Sequence, residues 1–167
     1  MAAMRPVSEE CRIAINYVAS FELHISDAYL SMAYCYPPDT EEPIFSGFFE
    51  DQAELKRDHG KQFLKYLIER ENNICLPVIK RPDVDNWYTG VKAVEYALEL
   101  ENQLSQLLID LKTTASADND NHFLNFMGKY LEKQKKNSTY LQRQLAYYRK
   151  EEQQAQEGGT PKKKKAC

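Results

Sequence analysis

No stretch of this sequence is apolar for long enough to span a bilayer, because charged residues return well before that length is reached. The opening MAAMRPVSEECR has no apolar core ahead of its charges, so no secretory signal is expected. The chain also lacks a C-x-x-C pair. Cys11, Cys35, Cys75 and Cys167 stand far apart, and in an unsecreted protein four reduced thiols are the expectation. An excess of basic charge is missing too. With 22 Lys and Arg against 25 Asp and Glu, the formal net charge is −3, which gives no case for a nucleic acid or a membrane as partner of the whole molecule. What remains is ordinary: 167 residues, 43% hydrophobic and 28% charged, compose one soluble domain able to bury a core.

Four long segments carry helical periodicity, separated by turn signals. The first is expected from Ser8, as N-cap, to Tyr36, where Pro37 and Pro38 end it. Its seam reads Ile15, Val18, Glu22, Ile25, Tyr29, Met32, Tyr36, the inward stripe of a bundle helix. The second opens near Pro43 and runs to Glu71, with a stripe of Phe49, Gln52, Lys56, His59, Phe63 and Tyr66. The third, capped near Asp85, reaches Thr113 and turns Val91, Val94, Leu98, Glu101, Leu104 and Leu108 inward. The fourth runs from Asp120 to Glu152, burying Phe123, Met127, Tyr130, Gln134, Leu141 and Tyr148. Between the second and third, Asn72–Tyr88 is too long for an ordinary loop. It suits a crossover travelling the length of a bundle, so that those two helices run parallel. The fold class is therefore all-α: an up-down-down-up four-helix bundle over residues 1–152. Residues 153–167 read as a disordered basic tail.

A bundle core should be apolar, so polar groups on the inward stripes carry the information. They are Glu22, Lys56 with His59, Glu101 and Gln134, each near the middle of its helix. A carboxylate on each of two helices plus a Glu-x-x-His pair on others is how bundle cores hold two iron ions. Here the i, i+3 spacing before His59 is kept, but the residue is Lys56. An ammonium offers three donors and no lone pair, so it cannot ligate a cation.

These residues resemble the eukaryotic ferritin family over roughly Ala14 to Lys150. The likeness lies in A-I-N…E-L…A-Y-L-S-M-A-Y, R-D-H, I-K-R-P-D…W-Y-T-G-V-K-A-V-E-Y-A-L-E-L-E-N, D-N-D-N-H-F and K-Y-L-E-K-Q. The resemblance implies a hollow twenty-four-subunit shell storing hydrated ferric oxide, homo- or hetero-oligomeric, with iron as its cargo. In heavy-type subunits it implies a di-iron ferroxidase centre. Carried over singly, Glu22, His59 and Glu101 match iron ligands, Tyr29 the tyrosine beside them, and Gln134 the outer glutamine. Lys56 falls where the heavy type has its bridging glutamate and the light type a lysine. Asp51, Glu54 and Asp58 match acids that light-type subunits turn toward the cavity, candidates for seeding mineral. Three departures stand beside these. By this resemblance Asn125 and Gly128 stand where the acids of the three-fold channel are expected, a basic tail where the short apolar fifth helix is expected, and PPDTEEP in place of the usual first loop.

Plainer readings accompany each site. Glu22, Lys56 and Glu101 could form a metal-free buried network, or Glu22 and His59 could hold a single iron. Asp51, Glu54 and Asp58 could be a solvated face interleaved with Arg57 and Lys61. Tyr29 could be a core filler, and His24 and His122 surface residues. The functional expectation is a cytoplasmic iron-storage subunit with impaired or absent ferroxidase activity, working beside a heavy-type partner. Two alternatives stay open: an active ferroxidase, and a non-storing interaction protein directed to the nucleus by Lys162–Lys165.

Overall fold

A computed structural model describes residues 5–35, 47–80 and 90–157. Within them the chain forms α1 (Glu9–Tyr34), α2 (Phe49–Glu69), α3 (Gly90–Ala117) and α4 (Asn121–Glu157). No strand occurs among the described residues, and none of their helices is long and apolar enough to cross a membrane.

The ends of the helices are set by local chemistry. Ser8 caps α1, its hydroxyl accepting from the Cys11 N–H at 3.2 Å. Asp120 does the same for α4 through the Phe123 N–H at 3.1 Å. At the C-terminus of α2, Glu71 turns left-handed with φ 59°. Its N–H then reaches the Ile68 carbonyl, and that of Asn72 reaches Leu67. Asn119, φ 54°, closes α3 in the same manner, with Asp120 returning to Ala115. Both ends are Schellman closures built without glycine.

Side-chain bonds fix the helix directions. Ser8 at the start of α1 donates to Asp118 just past the end of α3 at 2.5 Å. Tyr34, at the far end of α1, donates to Glu50 at the start of α2. Gln52 and Asn137, and then Arg70 and Asp120, join α2 to α4 in opposite order along the two helices. Glu95 with Arg149, and then Glu101 with Gln134, do the same for α3 and α4. Each of α2 and α3 thus runs against α1, and they run parallel to each other, which gives the up-down-down-up bundle. The crossover starts along α1: Asn16 accepts from the Cys75 N–H at 2.9 Å, and the Ser20 hydroxyl donates to the Pro77 carbonyl at 2.6 Å.

The core is formed by the inward stripes. Ile15, Val18, Ile25, Tyr29, Met32, Phe63, Val94, Leu104, Leu108, Phe123, Met127 and Leu141 are all buried. Leu98 is a correction. It is half-buried, and Ala97 takes the inward place beside Tyr29. α1 stops at Tyr34, while α3 continues past Thr113 to Ala117. Gln153–Glu157, expected as coil, continue α4, since Gln, Ala and Glu all favour helix. Tyr36, the start near Pro43, the cap at Asp85 and Lys162–Lys165 lie outside the described residues. Cys11 and Cys75 are free thiols.

Candidate functional site

The polar residues of the four stripes meet at mid-bundle. Tyr29 on α1, Lys56 on α2, Glu101 on α3 and Gln134 on α4 form one hydrogen-bonded cluster with Glu101 at its centre. The Tyr29 hydroxyl donates to Glu101 Oε1 at 2.7 Å. Lys56 Nζ donates to Glu101 Oε2 at 2.9 Å and to Gln134 Oε1 at 3.2 Å. Gln134 Nε2 donates back to the Glu101 main-chain carbonyl at 2.8 Å and also reaches Oε2. Glu101 is fully buried and Lys56 only 1% exposed. At this depth an ionised carboxylate is sustained only by such donors, and one ammonium with two neutral donors meets that need.

Glu22 presents the opposite case. It is 1% exposed, and its Oε2 has no hydrogen-bond partner. The expected pairing of Lys56 with both carboxylates is thus corrected: Lys56 hydrogen-bonds to Glu101 and not to Glu22. Burial raises the Glu22 pKa to about 7; the Lys56 charge opposes that rise and Glu101 adds to it. Two buried carboxylates share one ammonium, and the unpaired one takes up a proton near neutrality.

His59, on α2 one turn beyond Lys56, is 7% exposed, with the Tyr130 ring edge-on at 5.1 Å. Its pKa is pushed down to about 4, first by burial and then by the charges of Lys56, Lys133 and Lys129. Its imidazole is therefore neutral at physiological pH. Tyr29, deep in the cluster, has its pKa driven well above the ordinary range by burial and by Glu101, so it stays a phenol and a donor.

Tested against a pair of divalent ions, these residues do not fit. Where an anionic oxygen would have to lie between the ions there is an ammonium, whose donors go to Glu101 and Gln134. What remains able to donate a lone pair is Glu22 Oε2 and the neutral His59. Among the described residues no three His, Cys, Asp or Glu side chains converge closely enough to hold a metal. Asp51, Glu54 and Asp58 lie on the exposed face of α2, where Asp58 accepts from Gln62 at 2.6 Å.

Sequence reasoning missed a second buried polar cluster at the end of the bundle. Arg70 makes a bidentate pair with Asp120 at 3.1 and 2.7 Å, donates to the Tyr66 hydroxyl at 2.7 Å and caps the Arg5 carbonyl at 2.5 Å. His122 is exposed, as expected, but its Nδ1 is 2.8 Å from the Tyr66 hydroxyl. His24 is half-buried rather than on the surface. The signal for Arg70 was its i+4 spacing from Tyr66 on the inward stripe.

Residues 13–150 match the family described as Ferritin-like domain. The ferritin light chain, oocyte isoform, of Xenopus laevis is 37% identical over 130 residues, covering 77% of this chain and 73% of that one. Soma ferritin of Lymnaea stagnalis is 37% identical over 130 residues, covering 77% and 75%. The ferritin middle subunit of Salmo salar is 35% identical over 127 residues, covering 75% and 72%.

Proposed function

This chain belongs to the ferritin family, and on that premise we propose that it is an iron-storage subunit of an oligomeric shell whose own ferroxidase centre is disabled by Lys56. The observation that carries the reading is the Lys56 ammonium bound to Glu101 Oε2 at 2.9 Å and to Gln134 at 3.2 Å. It neutralises the carboxylate on which a ferrous ion would depend, and it repels any cation approaching Glu22 or His59. Iron is then a cargo oxidised elsewhere, by a heavy-type partner in the same shell. The subunit contributes Asp51, Glu54 and Asp58 as solvent-facing carboxylates on which ferric iron can settle.

The deciding experiment is oxygen-dependent oxidation of a few Fe(II) per subunit by the purified wild type beside Lys56→Glu. The wild type should run near the buffer rate. The variant should be faster by about tenfold or more, equivalent to ~1.4 kcal/mol off the barrier. A slow variant would place the defect elsewhere.

One observation favours a second reading, in which the centre still oxidises iron. Glu22 Oε2 has no partner and His59 is neutral, so one carboxylate oxygen and one imidazole remain available. Rapid wild-type turnover that is abolished in His59→Ala would establish it.

A further inference from the structure

Between α2 and α4 the rings form one continuous stack. From mid-bundle outward, His59 meets Tyr130 at 5.1 Å between centroids and Tyr130 meets Phe126 at 5.4 Å. Phe126 meets Tyr66 at 4.4 Å, and Tyr66 meets His122 at 5.7 Å. Phe63 packs beside them, 4.7 Å from Tyr130. Two of these rings are phenols, and they are almost equally buried: Tyr66 is 3% exposed and Tyr130 2%. What their hydroxyls meet is different. Tyr130 donates to the carboxamide oxygen of Gln62, which accepts a hydrogen bond but is not a base. The Tyr66 oxygen lies 2.7 Å from Arg70 Nη1, which can only donate to it, and 2.8 Å from His122 Nδ1. A buried hydroxyl hydrogen needs an acceptor, so it points to His122, whose Nδ1 is then the bare nitrogen. His122 is exposed, so a proton taken up there is in contact with water.

We propose that Tyr66 and His122 form a redox site, at which the oxidising equivalent of an oxygen-centred radical comes to rest as a neutral tyrosyl radical. The oxidant takes one electron from the Tyr66 ring and is reduced to its anion. The phenolic O–H bond breaks, and its proton passes to His122 Nδ1. The products are a neutral phenoxyl and an imidazolium facing water, so charge is conserved and none is left in the core. Loss of the electron alone would bury a cation radical, which is costly. That disfavours Tyr130, whose hydroxyl meets no base. Tyr29 lies outside the stack and donates to Glu101, a carboxylate already committed to Lys56. A proton placed there would leave a buried ammonium without its counter-ion. The site uses neither Glu22 nor Glu101, and so stands apart from the iron chemistry proposed above.

The test is flash oxidation of the purified, iron-free protein by photogenerated tris(bipyridine)ruthenium(III), read by electron paramagnetic resonance once the short-lived signals of exposed tyrosines have decayed. A persistent tyrosyl radical is expected in the wild type and lost in Tyr66→Phe. It should be kept in Tyr130→Phe and in Tyr29→Phe. His122→Ala should lower its yield by about tenfold or more, and added imidazole should restore it, which a merely structural histidine would not allow. Circular dichroism and melting check that each variant keeps the bundle. The absence of a persistent radical in the wild type would overturn the site. So would a signal that survives Tyr66→Phe, or one that vanishes in Tyr130→Phe or Tyr29→Phe. A full yield in His122→Ala, or a loss that imidazole fails to restore, would also overturn it.

Discussion

Two buried ion pairs tie α2 to its neighbours, and their surroundings differ. At the end of the bundle, Arg70 and Asp120 are 6% and 13% exposed at their side chains. Arg70 spends its donors on Asp120, Tyr66 and a main-chain carbonyl, and Asp120 also caps α4. Lys56 and Glu101, at mid-bundle, are 2% and 0% exposed, and a second carboxylate, Glu22, is left beside them without a partner. The end pair resembles a structural clamp: complete, bidentate and within reach of water. The middle pair has one carboxylate too many. A cluster evolved only for packing has no reason to bury an unpaired carboxylate. On the function proposed above, the surplus is what a cation centre would retain after a lysine took the place of one ligand.

The largest expected effect breaks the middle pair. Lys56→Met removes the ammonium bound to Glu101 and leaves that carboxylate buried with the neutral donors Tyr29 and Gln134, costing about 3–5 kcal/mol in guanidinium unfolding. A loss under 1 kcal/mol would mean that Tyr29 and Gln134 suffice.

Next comes Glu22→Gln, which tests the surplus carboxylate. The folded pKa of Glu22 is raised to about 7 from 4.5, so its favourable protonated state is fully present below pH 4.5. That contribution is lost as pH rises through 7. Wild-type stability should therefore fall relative to Glu22→Gln across this window, by roughly 3 kcal/mol at most. Parallel stability curves would show that Glu22 is not the strained group.

The smallest effect is expected from Arg70→Met, about 1.5–3 kcal/mol, because Asp120 keeps water and the Phe123 N–H. Arg70 holds the Asp120 carboxyl below its ordinary range, so that stability is present above the usual carboxylate pKa and lost as the solution is acidified. The variant should consequently be less acid-sensitive than the wild type by urea midpoint.

The bundle was legible because periodicity reports burial directly. Glu22, Lys56, Glu101 and Gln134 stood out as polar residues on stripes that should be apolar, and all four are buried. What spacing could not supply was the pairing. Whether Lys56 turns to Glu22, Glu101 or both depends on rotamers set by Tyr29 and Gln134 from other helices. Arg70 escaped notice for a related reason: a charged residue at a helix end reads as surface until the N-terminal segment and Asp120 are seen to close over it. Asn16 and Ser20 look like ordinary polar positions on α1, and only the crossover shows what they bond.

Those two residues bear on how the chain finds its shape. α1 with α2, and α3 with α4, are hairpins of neighbouring segments, whose contacts form early because little chain must be looped to make them. Asn16 and Ser20 grip Cys75 and Pro77 from 59 and 57 residues away. They need α1 to be helical before they can do so. The expected order is two hairpins first, with the start of the crossover docking along α1 afterwards. A substitution at Asn16 would slow that last docking step more than it would change the hairpins themselves.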